Sequence, residues 1–200
     1  MNRAEVTKRK IIDSTIELIA EKGYAATSSR EIAKKAGISE ATIFKYYDNK
    51  DNLLNIVVET IIQDFLNYSF EHSFPKLLSE NKSIQDMLQN ILIERLTFFK
   101  ENSNAFQVII QEMMINPSIR ELFIERVWVK LESISNDIFE KGKNEGVFRD
   151  IDNFFLQKAL FGMLFYTNIF EKILNIQSEK YSIKKQADMI LDILLNGISK

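Results

Sequence analysis

Apolar residues recur along this chain at spacings of three and four, with no strand-like alternation. Ile12, Ile16 and Ile19 fall at i, i+4 and i+7 and predict a helix over residues 4–22, ended by Gly23. Ser28 followed by Glu31 has the spacing of a capping box, and Ile32, Ala33 and Ala36 continue it as a one-sided stripe. Gly37 suits the left-handed backbone that ends a helix, and Ser39 caps the next one. Ile43 and Tyr47 give this second helix an inner face, and Ala33 leaves room for a close crossing. Two short helices at a tight turn make a helix-turn-helix, whose second helix enters the DNA major groove. A short helical hairpin is also a common structural unit, so the pattern alone leaves both readings open.

The pattern then lengthens. Leu53, Leu54, Val57, Val58, Ile61, Ile62, Phe65 and Leu66 predict a helix from Asn49 to about Ser73, with two apolar faces. Pro75 and the polar Ser79–Lys82 mark a connection, and Ser83 with Asp86 opens a helix through Lys100. Glu101–Ser103 breaks the pattern, and Asn104–Ile115 forms a short helix. Asn116 and Pro117 read as an N-cap and a first helical position; that helix reaches about Lys143, with Gly142 and Gly146 at its end. Asp152 caps a helix that is apolar on nearly all sides through Phe170, and Ser182 opens the last. A helix apolar all round is buried on both faces. In so small a subunit, that requires a second subunit to cover one of them. The fold class is all-α, with about nine helices.

Composition narrows the chemistry. The 200 residues, 46% of them hydrophobic, are enough for a sizeable core, and two prolines and six glycines permit long helices. The chain has no cysteine and a single histidine, His72, which reads as an ordinary side chain. Disulfides, His/Cys zinc sites and a Ser-His-Asp triad are thereby excluded. No catalytic constellation, cofactor motif or metal spacing is present, so an enzyme is the least favoured class. The longest uncharged apolar run, Ala159–Tyr166, is too short to span a bilayer, and no signal pattern opens the chain. The expected location is cytoplasmic, with no membrane partner. Net charge is −2, but residues 22–50 carry six Lys or Arg against three Asp or Glu, leaving −5 for the remainder. A basic tip on an acidic body suits one surface that meets phosphates.

The segments Ala36-Gly37-Ile38-Ser39, Thr42-Ile43-Phe44 and Tyr46-Tyr47-Asp48-Asn49-Lys50-Asp51-Asn52-Leu53-Leu54 together resemble the N-terminal signature of TetR-family transcriptional repressors. The resemblance covers roughly residues 6–56. It implies a helix-turn-helix DNA-binding domain over 1–50 and a ligand-binding and dimerisation domain over 51–200, joined by the long helix. It places Arg30 at a base edge, where a guanidinium can take guanine O6 and N7. Glu40, Ala41 and Lys45 join it on the base-facing side, although Glu40 also suits a first helical turn by complementing the dipole. Ser29, Thr42, Tyr46 and Lys50 match positions that hold phosphates. Lys8, Arg9 and Lys10 lie where they could approach the backbone of DNA. Two residues depart from the family pattern: Phe44 replaces its usual tyrosine, and Ala41 its frequent glycine.

Beyond residue 56 the chain matches no motif. Phe98, Phe99, Phe106, Met113, Trp128 and Phe165, with Asn168 as a polar handle, are candidates for a ligand pocket, although each also suits an ordinary core. Phe161, Gly162, Leu191 and Leu194 are candidates for a homodimer interface. The reading is a homodimeric repressor on a palindromic operator, released by a mostly apolar small molecule. Two rivals stay open: an effector-independent architectural or division-control DNA-binding protein, and a helical interaction adaptor.

Overall fold

The computed structural model describes residues 2–79, 83–174 and 181–197. Among these residues there are nine continuous helices and no strand. They are α1 (Arg3–Lys22), α2 (Ser29–Ala36), α3 (Glu40–Tyr46), α4 (residues 50–79), α5 (Ile84–Glu101), α6 (Ser103–Ile115), α7 (residues 117–144), α8 (residues 153–173) and α9 (Ile183–Asn196). Of the connection expected at Ser79–Lys82, residues 80–82 lie outside the described residues.

Packing divides the chain into two units. One holds residues 1–65 and 104–123, the other residues 66–103 and 124–200. The line thus falls inside α4 at residue 65, beyond the 50/51 boundary expected from sequence, and α6 joins the DNA-reading elements. Long-range packing decides this, and the helical period of α4, unbroken past residue 50, carries no mark of it.

In the first unit, α1 opens with a full capping box. Asn2 Oδ1 accepts from the Glu5 N–H at 2.9 Å, and Glu5 Oε2 accepts from the Asn2 N–H at 2.8 Å. Ile11, Ile12 and Ile19 form its buried face, and Ile16 is only partly covered. From α6, the Gln107 amide donates to the Ala20 carbonyl at 2.9 Å, and Phe106 meets Phe65 edge-on at 5.8 Å.

Pro75 does not end α4. The helix changes from α (Lys50–Leu66) to π (Asn67–Ser73) and back (Phe74–Ser79). The Phe74 N–H reaches five residues back to the Ser69 carbonyl. That wider turn relieves the ring clash and missing donor that make proline break an α-helix. In the second unit this stretch surrounds a buried cation. The Arg95 guanidinium donates to Ser69 Oγ at 2.6 Å, is forked onto the Glu94 carboxylate, and lies 4.9 Å from the Phe74 ring centre. Paired this way, the charge is tolerated in the interior.

α5 is the centre of the second unit. Leu92 and Leu96 pack with Phe139, Leu160, Leu164, Ala187 and Ile190; Ile84, Met87, Leu88 and Ile91 pack with Phe74 and Ile138. Each of these side chains except Ala187 contributes about 1.5–3 kcal/mol on burial. α7 starts at Pro117 as expected, with Asn116 Oδ1 accepting from the Ser118 N–H at 3.1 Å. Gly142 does not end it. A Cβ there would stand 2.1 Å from the Phe148 ring, so this glycine is a packing site, and Gly146 at φ +71° makes the turn.

α8 is not buried all round within one chain. Gln157, Leu160, Leu164 and Ile169 face inward, with the Gln157 amide held by Ser135 Oγ and Asn136 Oδ1, each at 3.0 Å. Phe154, Phe155, Phe165 and Tyr166 are exposed, and so are Met189 and Ile193 on α9.

Candidate nucleic-acid interface

The reading head is built from local signals. Ser28 Oγ accepts from the Glu31 N–H, and the Glu31 carboxylate accepts from the Ser28 N–H at 2.9 Å, fixing the start of α2. Lys22 also pairs with this carboxylate. That hydrogen bond first, and those from Ser28 next, pull the Glu31 carboxyl down to about 2. At the other end Gly37 takes φ +70°, while its N–H and that of Ile38 return to the Lys34 and Ala33 carbonyls at 3.3 and 3.0 Å. These are the two bonds of a Schellman motif, and they set the sharp turn. Ser39 Oγ accepts from the Thr42 N–H at 3.2 Å and opens α3. Ile32, Ala33, Ile43 and Tyr47 are buried together as the inner faces.

That arrangement leaves Arg30 and Lys34 exposed on α2, one helical turn apart, and Glu40, Ala41, Phe44 and Lys45 exposed on α3. Among the described residues no ion pair engages Arg30, Lys34 or Lys45, so three cations stand free beside the recognition helix. Lys34 was not singled out by the sequence; its i, i+4 spacing from Arg30 is the signal that could have found it. Thr42 and Tyr46 are half-buried at the edge of α3. The Thr42 hydroxyl is 2.8 Å from Ser39 Oγ, and Lys8 of α1 lies 5.6 Å from the Tyr46 ring centre.

Several charges are already engaged. The Ser29 hydroxyl donates to the Glu40 carboxylate, tying a predicted phosphate contact to a predicted base contact. Arg9 pairs with Asp13 at 2.9 Å and Asp64 at 2.8 Å, bracing α1 against α4. The Lys50 ammonium donates to the Tyr24 carbonyl at 2.7 Å and stands 4.0 Å over the Tyr24 ring. A cation at a helix N-terminus opposes the dipole, and here it turns to a carbonyl and a π face instead. Tyr24 in turn donates to Asp51, and Lys50 also faces the buried Glu112 of α6, whose carboxyl is raised by burial.

The candidate pocket residues divide between the two units. Phe106 and Met113 belong to the first unit; Phe98, Phe99, Trp128, Phe165 and Asn168 belong to the second. Phe98 is stacked on Tyr68 at 4.3 Å, Phe99 packs on the α5 core, and Trp128 meets Phe161 at 5.5 Å. Phe165 is exposed, and the Asn168 amide returns to the Leu164 carbonyl at 3.1 Å. Of the candidate interface residues, Leu191 and Leu194 pack on the chain's own core, and Phe161 lies against Trp128. Gly162 is open, with nothing within 4 Å of a Cβ. It lines a cleft of about 590 Å³ with Tyr166, Tyr181, Met189 and Ile193. No helix of the described residues is long and apolar enough to cross a membrane.

The profile of the bacterial regulatory proteins of the TetR family matches residues 11–57, the stretch that builds this reading head. The fatty acid metabolism regulator protein of Bacillus subtilis (strain 168) is 24% identical over 192 residues, covering 94% of each chain. Among solved structures, FadR from Bacillus subtilis in complex with stearoyl-CoA superposes with a TM-score of 0.70 at 21% identity, covering 96% of this chain and 99% of that one. AibR in complex with isovaleryl coenzyme A and operator DNA superposes with a TM-score of 0.74 at 16% identity, covering 94% and 98%. At these identities the likeness is one of fold. The family profile and the helix-turn-helix geometry fall on the same residues, and residues 11–57 form a helix-turn-helix domain of the TetR-family type.

Proposed function

We propose that this regulator is a repressor that binds a palindromic operator as a homodimer and is released by a fatty acyl thioester of coenzyme A. The observation that carries the DNA half is the exposed face of α2 and α3, with Arg30, Lys34 and Lys45 free of ion pairs. Arg30 and Lys45 read bases; Ser29, Thr42 and Tyr46 meet phosphates, with Ser29 exchanging Glu40 for the backbone. Lys50 keeps two further N–H donors for a phosphate while it holds Tyr24.

For the effector, support comes from two relatives of the same fold whose structures hold acyl-CoA molecules, and from the relative that regulates fatty acid metabolism. A long acyl chain also agrees with an apolar effector that has one polar end. The second unit binds it. Dimerisation uses the exposed apolar residues of α8 and α9, which a lone subunit would leave in water.

The test starts from an operator selected by the protein from a random duplex pool. Binding is followed by fluorescence anisotropy against acyl-CoA chains of increasing length, with free coenzyme A as control. An inverted repeat and release by one range of chain lengths are expected. Failure of every acyl-CoA to change binding overturns the effector, and enrichment of no sequence overturns operator recognition.

A further inference from the structure

The exposed surface of α3 has an apolar centre. At about 100° per residue, Ala41 and Phe44 lie between Glu40 on one side and Lys45 on the other. Phe44 is 45% exposed, and among the described residues it has no ring contact. Its neighbour Glu40 already accepts from Ser29 and is a poor candidate to meet a base on that side. Nearly half of this phenyl-bearing residue stands in water on a seven-residue recognition helix whose only buried side chain is Ile43.

We propose that Phe44 is a specificity-determining residue that selects a thymine through its 5-methyl group, with the Ala41 methyl extending the same apolar contact. This rests on the operator-binding reading above. The physical argument is one of elimination on the DNA side. In the major groove every base edge presents donors or acceptors, and thymine alone adds a methyl group. A phenyl ring against cytosine N4, guanine O6 or adenine N6 strips water from a polar group without replacing its hydrogen bond, which is unfavourable. Against the thymine methyl, both partners leave water together. Preference at that base pair therefore comes from a side chain that forms no hydrogen bond, and the tyrosine usual in the family is replaced by a residue that cannot donate to phosphate.

The experiment replaces each thymine of the selected operator, one at a time, by deoxyuridine, which removes the methyl and leaves pairing unchanged. Wild type should lose affinity about fourfold per recognition helix at one thymine position, the value of one buried methyl-sized group. Phe44→Ala should bind the thymine and deoxyuridine operators equally at that position, and Phe44→Leu should keep part of the difference. The side chain is exposed, so the variant's thermal melt should match wild type. Three results overturn the proposal: no thymine position responds; Phe44→Ala retains the wild-type response; or Phe44→Ala weakens all duplexes alike, as a contact to sugar would. Any of these leaves operator recognition intact, whereas failure to enrich any operator overturns both readings.

Discussion

Arg30 and Lys50 are both cations near the recognition helix, yet their surroundings assign them different work. Arg30 is free, and Arg30→Ala should relax preference at one base pair by about 1–3 kcal/mol, read from binding to single-base operator variants. Lys50 is held by the Tyr24 carbonyl and faces Glu112. Lys50→Met should therefore cost about 1.5–3 kcal/mol of folding stability, the range for a charge-assisted hydrogen bond, in a denaturant melt. It should flatten the slope of log affinity against log salt by less than the roughly 1.8 expected for two lost phosphate contacts in a dimer. A full flattening with unchanged stability would make Lys50 chiefly a phosphate ligand. Glu31 gives a pH signature. Its folded value of about 2 lies below the ordinary 4.5, so its contribution is present above 4.5 and lost as pH falls toward 2. Between those limits, Glu31→Gln should lose stability with acid less steeply than wild type in thermal melts.

At the scale of elements, the helices are set by caps and by two glycines with different tasks. Gly37 supplies a left-handed turn, and Gly142 supplies space. Gly142→Ala should cost about 1–3 kcal/mol as an overpacking change, because the added carbon meets the Phe148 ring and α7 or that ring must shift. Equal stability of Gly142→Ala and wild type would show that the ring swings away freely. The π turn of α4 is a second device at this scale. Ser69 and Phe74 surround the Arg95 guanidinium, so the widened turn both admits Pro75 and houses a buried charge.

For the whole molecule, the open question is what covers the apolar face of α8 and α9. Phe155 is 62% exposed and Ile193 41%, while Leu191 and Leu194 pack inward. If a second copy covers that face, Phe155→Glu and Ile193→Glu should yield folded monomers by light scattering at low micromolar concentration. Leu191→Glu should instead damage folding itself, since it places a charge against the core of α5. A dimer that survives both outward substitutions would move the interface elsewhere. Loss of operator binding should accompany dissociation, because two half-sites a helical turn or more apart require two linked recognition helices.

The sequence by itself determined the elements and the reading head. Caps, the helical period and the Gly37 turn act over three to five residues, so Ser28, Glu31, Ser39 and Ile43 could be placed without knowing the rest of the chain. The segments Ala36–Ser39, Thr42–Phe44 and Tyr46–Leu54 carried the family resemblance as well. Only the tertiary structure decided where the charges went. Lys50 meets a residue 26 positions away, Arg9 one 55 away and Ser29 one 11 away, and no local pattern encodes those pairings. It also decided the inward faces of α8 and α9. Where nearly every position of a helix is apolar, periodicity has no phase to read. The buried side is then set by what packs against it: Gln157 on Ser135 and Asn136, and Leu191 on the core of α5.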